Sequence, residues 1–426
     1  MKYLPLLIAC LLASSLYAQQ PELQFFRPND LRGLHVFETP KLDTVPFDGV
    51  KVRVGGDFAM QFQSLNQQND ARNLVELGTN FNLPTANLNL DVQLMEGVRM
   101  HLTTYLSAQH HQEAWVKGGH LQVDKLDFIR PGFLEGFMKV ATIRVGLDEF
   151  NYGDPHLRRS DNARVIFNPF VGNFIMDAFS TEAFGELTLR HHGLLAVVGV
   201  TNGKLNQNVI VNPNTDNQLS YYGKVGVDNQ LNEDLRLRLT ASIYANHGTT
   251  TGTWLYGGDR AGSRYYKVLQ TLPDSLGNTQ GGDFEGRFNA RFLKVTAVQV
   301  NPFIKYRGLE FFGVVEVASG SNEGNRPESG REGAFTQLAA EVLYRFGADE
   351  RFYLGGRYNT VRGKATENAT EDLQINRLNV GGGWFLSNNV VTKIEYVQQR
   401  YTGDAWTGRF AGAEFSGVNL EAGISF

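Results

Sequence analysis

Residues 418–426 run Val418-Asn419-Leu420-Glu421-Ala422-Gly423-Ile424-Ser425-Phe426. Apolar side chains at 418, 420, 422, 424 and 426 alternate with polar or small ones at 419, 421, 423 and 425. A period of two places the two sets on opposite faces of a strand. A soluble domain gains nothing by ending on such a strand with an aromatic terminus. A barrel closed through its last strand does.

The same period recurs upstream. Val52, Val54, Phe58, Met60 and Phe62 alternate with Arg53, Gly55, Asp57, Ala59, Gln61 and Gln63. Leu88 to Leu94 and, after the turn Met95-Glu96-Gly97, Val98 to Leu102 repeat it, as do Leu235 to Ile243 and Leu338 to Phe346. Alternation also suits a soluble sandwich, so length and connections decide. These runs reach about ten residues, the length of a tilted transmembrane strand, where soluble strands average about five or six. Connections alternate between short (95–97, 191–193, near 308, 347–351, 387–389) and long (66–82, 148–182, 202–218, 246–282, 319–334, 362–374, 402–412). Short turns at one end and long loops at the other are the outer-membrane pattern. The expected fold is all-β, a transmembrane antiparallel β-barrel over 50–426 with about 16 strands, 14 to 18 being compatible with the pattern. The segments around 112–126, 194–201 and 282–296 are the least regular of these strands.

Composition agrees. The chain has 426 residues, 20% charged, with 46 Gly, 29 Phe, 16 Tyr and a formal net charge of −4. Its mean hydropathy of −0.27 excludes a helical membrane protein but not a barrel, whose strands are half apolar. The basic footprint of a nucleic-acid binder is absent. The single cysteine is Cys10. Met1-Lys2, the apolar run from Tyr3 to Leu16 and the small residue Ala18 predict a signal peptide over 1–18, which carries Cys10 away with it. Leu7-Ile8-Ala9-Cys10 also fits a lipoprotein cleavage site, but would leave too short an apolar core. Residues 19–49 hold Pro21, Pro28, Pro40 and Pro46 without periodicity, and are expected to form an extended periplasmic leader. Export without a spanning helix, together with the barrel pattern, predicts the outer membrane of a Gram-negative cell, with its lipid as the surrounding partner.

Catalytic fingerprints are missing: no G-x-S-x-G, H-E-x-x-H, phosphate-binding loop or dinucleotide fingerprint occurs. No cofactor or metal is expected. His110-His111 and His191-His192 are adjacent pairs, which a strand sends to opposite faces. Asp148-Glu149 closes a strand and is expected at a solvated rim.

The segment 151–182 is a connection of over thirty residues without alternation, rich in aromatics (Tyr152, Phe167, Phe170, Phe174, Phe179). Loops of this length are functional or disordered, and this one is too aromatic for disorder. It is expected to fold into the barrel, with Asp154, Arg158, Arg159, Asp161 and Arg164 at a constriction; the alternative is a cap over the mouth. The alternation phases place Arg53, Arg99, Arg144, Arg190, Arg236, Arg238, Lys305, Arg307, Arg345, Arg357, Arg377 and Lys393 on the inner wall. Asp57, Asp91, Glu186, Glu310, Glu316, Glu341, Glu395 and Glu421 share it. A wall with more cations than carboxylates implies a mild anion preference. Trp384-Phe385, Tyr396, Tyr401, Phe415 and Phe426 fit aromatic girdles.

With these features the chain resembles Gram-negative outer-membrane porins. It looks most like phosphate-selective porin O/P-type proteins and the porin-like barrels of Bacteroidetes-type bacteria. The resemblance rests on the signal peptide, Arg144-Val145-Gly146 before the long loop, Leu386 to Tyr396, and the close Val418 to Phe426, and does not account for residues 19–49. It implies that Phe426 is the assembly signal recognised by the barrel-assembly machinery, and that the protein is a homotrimer passing small hydrophilic or anionic solutes. The lysine cluster associated with phosphate selectivity is missing; the long loop uses arginines. The function expected is passive diffusion through an outer-membrane channel. The alternatives are an enzyme at the barrel rim and a plugged structural or adhesive barrel.

Overall fold

The computed structural model describes residues 20–41, 45–82, 84–107, 114–159, 164–205, 207, 209, 218–248, 255–257, 265–283, 285–321 and 332–426. Residues 1–18, with Cys10, and the candidates His110, His111 and Asp161 lie outside them.

Sixteen long strands form one sheet: β1 (Lys51–Gln68), β2 (Thr85–Met95), β3 (Val98–Ser107), β4 (Ala114–Val123), β5 (Ala141–Glu149), β6 (Thr181–His191), β7 (Leu194–Thr201), β8 (Ser220–Gln230), β9 (Leu235–Asn246), β10 (Lys294–Tyr306), β11 (Leu309–Ser321), β12 (Glu332–Phe346), β13 (Phe352–Lys364), β14 (Leu373–Phe385), β15 (Val390–Thr402) and β16 (Glu414–Ser425). A two-residue strand, Asn80–Phe81, pairs beside β1. Every neighbour is antiparallel, and β16 returns to β1 with Asp57 opposite Ser425 and Gln68 opposite Glu414, so the barrel is closed. The seam is completed by Gly56 and Phe426, whose backbone N–H groups each donate to the other's carbonyl at 3.1 Å. A side chain at Gly55 would sit 2.7 Å from the Phe426 carbonyl oxygen, so this closure requires a glycine there. The strand expected near 282–296 begins only at Lys294; the residues before it belong to an interior segment described below.

Burial along the strands is inverted relative to a soluble protein. On β12, Leu338, Val342 and Tyr344 are exposed while Gln337, Glu341 and Arg345 are buried. On β14, Leu378 and Val380 face outward while Arg377 and Asn379 are fully buried. Charged residues are almost never buried unless paired, and large contiguous exposed apolar surface marks contact with something apolar. An apolar outside around a polar inside is the membrane-barrel solution.

The ends differ. Six connections at the end that holds both Lys51 and Phe426 are short turns, such as Glu96-Gly97 and His192-Gly193. One is not: residues 124–140 contain a short helix, α1 (Glu135–Met138), between β4 and β5. Long connections lie at the other end. The one after β5 carries α2 (Pro155–Arg158).

The lumen is filled by three segments. The described parts of 150–179 run through it, and the described parts of 255–293 enter from the loop end. Residues 20–41 enter from the turn end. Leu34, Ile166, Phe167 and Phe170 pack against the inward rings and aliphatics Leu343, Tyr353, Phe385 and Val391. Phe37, Leu157 and Phe174 pack on Phe303, Phe312 and Val314. Each ring so buried stabilises the arrangement by about 1.5–3 kcal/mol. The leader offered by the sequence as an extended periplasmic stretch is thus, over residues 20–41, packed inside the barrel. Its prolines prevent a regular element but not insertion, because its polar backbone finds partners on the wall.

Candidate pore interior

The segment after β5 is held by the wall along its length. Asp154 is fully buried. It accepts from Arg238 through both oxygens (Nε 2.8 Å, Nη2 2.9 Å), from Lys224 Nζ at 3.0 Å and from the Thr240 hydroxyl at 2.9 Å. Burial pushes its carboxyl up, but these two cations outweigh it and hold it well below the usual carboxylate range. Arg158 bridges two strands, donating to Glu310 at 2.6 Å and pairing with Glu341 at 2.7 Å. Its guanidinium lies over the Phe312 ring at 4.3 Å. Arg159 is buried 3.7 Å from Asp177. Arg164, in the left-handed region at φ 56, donates its backbone N–H to Asp57. Its side chain reaches Glu149 at 3.4 Å and the His156 carbonyl at 3.0 Å, and stays 32% exposed. Further along, the Val171 and Gly172 N–H groups donate to Glu395, Arg357 donates to the Gly172 carbonyl, and Arg377 donates to the Asn173 carbonyl. Gln337 receives from Met176 N–H and donates to its carbonyl. The path therefore crosses from β5 to the far wall and back.

The leader is anchored around the circumference. Gln24 N–H donates to Gln93 on β2, Leu31 N–H to the Asn388 carbonyl, and Lys41 to Asp124. His35 lies 2.8 Å from Glu310. Arg27 donates to the Leu157 carbonyl, joining leader to inner loop. Glu38 takes both arms of Arg238 at 2.8 Å each, with Lys224 at 3.8 Å. Burial raises the Glu38 carboxyl, but Arg238 and Lys224 overcome this and hold it at about 2.

Ten of the twelve basic wall candidates fall into three groups; of the other two, Lys305 pairs with Glu350 at 2.6 Å. Arg236, Arg238, Arg345, Arg357 and Lys393 are engaged by inward carboxylates: Asp228, Glu38 with Asp154, Glu310, Glu341 and Glu421. Arg377 and Arg190 are engaged by backbone carbonyls of the interior segments. Arg53, Arg99 and Arg144 stand on the β1–β6 side, Arg53 over the Phe26 ring, Arg99 with Asp91, and Arg144 with Glu186. Arg307, expected on the wall, sits in the β10–β11 turn with its side chain exposed toward Asp234, because the turn takes it at φ 51.

Among the described residues, a cavity of about 170 Å³ lies between the β1–β6 wall and the two inserted segments. Its lining includes Arg27, Arg99, Lys117, Arg144 and Arg164 opposite Glu38, Asp57, Asp91, Asp148, Glu149 and Glu186. Asp148 and Glu149 do not stand alone at a rim. His120 Nδ1 lies 2.7 Å from Asp148, and His156 Nδ1 lies 3.2 Å from Glu149. His101 lies 3.0 Å from Asp91, and its ring is tilted against that of His120 with centroids 5.3 Å apart. These pairs escaped sequence reasoning because their partners are brought together by register, His101 being opposite His120 on neighbouring strands. No cluster suited to a metal occurs among the described residues.

No protein-family model and no curated protein matches the chain. Solved structures do. The outer membrane channel DcaP of Acinetobacter baumannii superposes with a TM-score of 0.53 at 10% identity, covering 89% of this chain and 98% of that one. The anion-selective porin from Comamonas acidovorans gives 0.51 at 12% identity, covering 88% and 100%. OmpT, an outer membrane protein of Vibrio cholerae, gives 0.50 at 11%, covering 90% and 99%. The chain therefore has the sixteen-stranded porin fold.

Proposed function

We propose that the chain is a porin-type channel of a Gram-negative outer membrane, passing small hydrophilic solutes along the β1–β6 side of its lumen. On this reading the turn end faces the periplasm and the loop end the exterior. The observation that supports this reading is the charged cavity of about 170 Å³ left beside the inner loop and leader, within a wall whose outside is apolar. Transport needs no cofactor: width and lining charge select, and the concentration gradient drives. The lining mixes five cations with six carboxylates, and most of the other inward arginines are engaged by the interior segments. An anion preference would therefore rest on Arg27, Arg144 and Arg164, whose contacts are mostly carbonyls or carboxylates beyond 3.3 Å.

Single-channel recording of the refolded chain in a planar bilayer under a salt gradient tests this. Small stable steps with a reversal potential near or on the anion side support it. A second reading, a closed structural barrel, is favoured by the leader's insertion from the turn end. It predicts a folded, heat-modifiable barrel that stays silent both as the intact chain and after the leader is loosened.

A further inference from the structure

The excursion 124–140 has no part in the passage. Its inner side is fixed by Met138 and Leu126, which pack with Val98, Val123, Ala141, Ile143, Leu187 and Leu189. These wall positions alternate with the inward-facing Arg99, Gln122, Thr142, Arg144 and Thr188, so they belong to the outer face. The excursion thus folds back over the outside of the barrel instead of hanging beneath its mouth. Its other side exposes Phe128 (55%), Ile129 (58%), Leu134 (51%) and Phe137 (42%). The charges between them are spent locally. Lys139 pairs with Glu135, Asp127 accepts from Gly132 N–H, and Arg130 lies over the Phe133 ring.

Two further observations indicate what covers this face. It is continuous with the outward wall residues Leu121 and Val145, themselves exposed. At the same end of the barrel, the far side carries a ladder of stacked exposed rings, Tyr344, Phe346, Phe352 and Trp384, with centroids 6.0, 5.7 and 5.5 Å apart. Such rings sit at the headgroup level of a bilayer. Among the described residues, the strongly exposed rings at that end of β2 to β7 are Phe128 and Phe137.

We propose that residues 126–138 are an interfacial anchor: Phe128, Ile129, Leu134 and Phe137 lie in the headgroup–acyl boundary of the leaflet at the turn end. They complete there the aromatic belt that the strands supply elsewhere. The partner is a phospholipid surface. The inference rests on the membrane-channel reading, and its test separates the two. In a Cys10→Ala background, single Phe128→Cys, Phe137→Cys and Leu338→Cys chains are labelled with an environment-sensitive fluorophore. They are refolded into phosphatidylethanolamine–phosphatidylglycerol vesicles carrying a doxyl group near the headgroup or midway down the acyl chain. The anchor predicts that labels at 128 and 137 are quenched several-fold more by the shallow doxyl than by aqueous iodide, while Leu338, mid-wall on β12, is quenched best by the deep one. Iodide quenching at 128 and 137 with Leu338 still quenched by lipid overturns the anchor alone. Labels at 128 and 137 shielded from both quenchers, with energy transfer between copies, assign the face to a second copy and overturn it as well. A Leu338 label deaf to lipid quenchers overturns the membrane reading and the anchor together.

Discussion

Arg238 on β9 holds the carboxylate of Glu38, 200 residues earlier, with both arms of its guanidinium at 2.8 Å. The same guanidinium holds Asp154 of the inner loop, and Lys224 completes the cluster. One wall arginine thereby ties leader, inner loop and barrel together. Two-pronged charge-assisted bonds are among the strongest a side chain makes, and leaving one partner of a buried pair alone costs about 3–5 kcal/mol.

Glu38→Gln should therefore loosen the leader without unfolding the barrel, since Arg238 keeps Asp154 and Asp228. Limited trypsin digestion of the refolded protein should cut at Arg32 or Lys41 several-fold faster than in the parent. Conductance should rise, because the leader lines the passage through Phe26, Arg27 and Phe37. Unchanged protection would mean that the ionic cluster does not hold the leader.

Acid should act in the same direction. Glu38 is held at about 2 in the inserted leader, against an ordinary value of 4.5. A depressed carboxyl contributes stability above its free value that is lost as pH falls toward the bound one, here about 3 kcal/mol between roughly pH 5 and 2. His35 is lowered by burial despite the neighbouring Glu310. Its contribution is likewise present above its free value of 6.5 and declines as pH drops below it. Trypsin is unusable in acid, so hydrogen exchange of residues 20–41 is the measurement. Protection should fall first below about pH 6.5 and again below about pH 4.5, and His35→Gln should remove the first step.

The strands were legible because burial at a barrel wall is a strictly local, period-two property: Leu338 to Phe346 declares its two faces without reference to any partner. The long segment 151–182 was legible as unusual from its aromatics, although nothing in Asp154 or Arg158 announces Arg238 or Glu310 as partner. Residues 20–41 were not legible as an insert. Their order comes from ion pairs to strands far along the chain, and proline-punctuated sequence carries no period to reveal it. The His120–Asp148 and His156–Glu149 pairs were hidden for the same reason, since strand register and loop path decide them. The 124–140 excursion broke the rule of short turns at one end, and its Phe and Leu residues resemble those of a strand.

Removal of Phe426 should impair closure. Its backbone makes the last pair of bonds with Gly56, and the Asn389 side chain donates to the Ser425 carbonyl just before it. Losing the end of a seam exposes unpaired edge groups of β1, which a membrane does not tolerate. Expression should change little, while the heat-modifiable, membrane-inserted fraction should fall several-fold. Normal insertion would place the closing role elsewhere along β16.

Two arginines of the inner loop should separate stability from selectivity. Arg158 is 8% exposed and satisfies Glu310 and Glu341 at once. Arg158→Ala leaves those carboxylates to Arg345 and Arg357, so it should lower the melting temperature of the loop and barrel, a cost of about 2–4 kcal/mol. Arg164 faces the cavity, is about one-third exposed, and its side chain makes one carbonyl bond, to His156 at 3.0 Å, and a 3.4 Å contact with Glu149. Arg164→Ala should leave the melting temperature nearly unchanged and move the reversal potential toward cations, because it removes a fixed positive charge from a passage that already carries six carboxylates. Equal shifts in reversal potential for the two variants would show that ions pass on both sides of the inner loop, and would move the conducting path away from the β1–β6 wall.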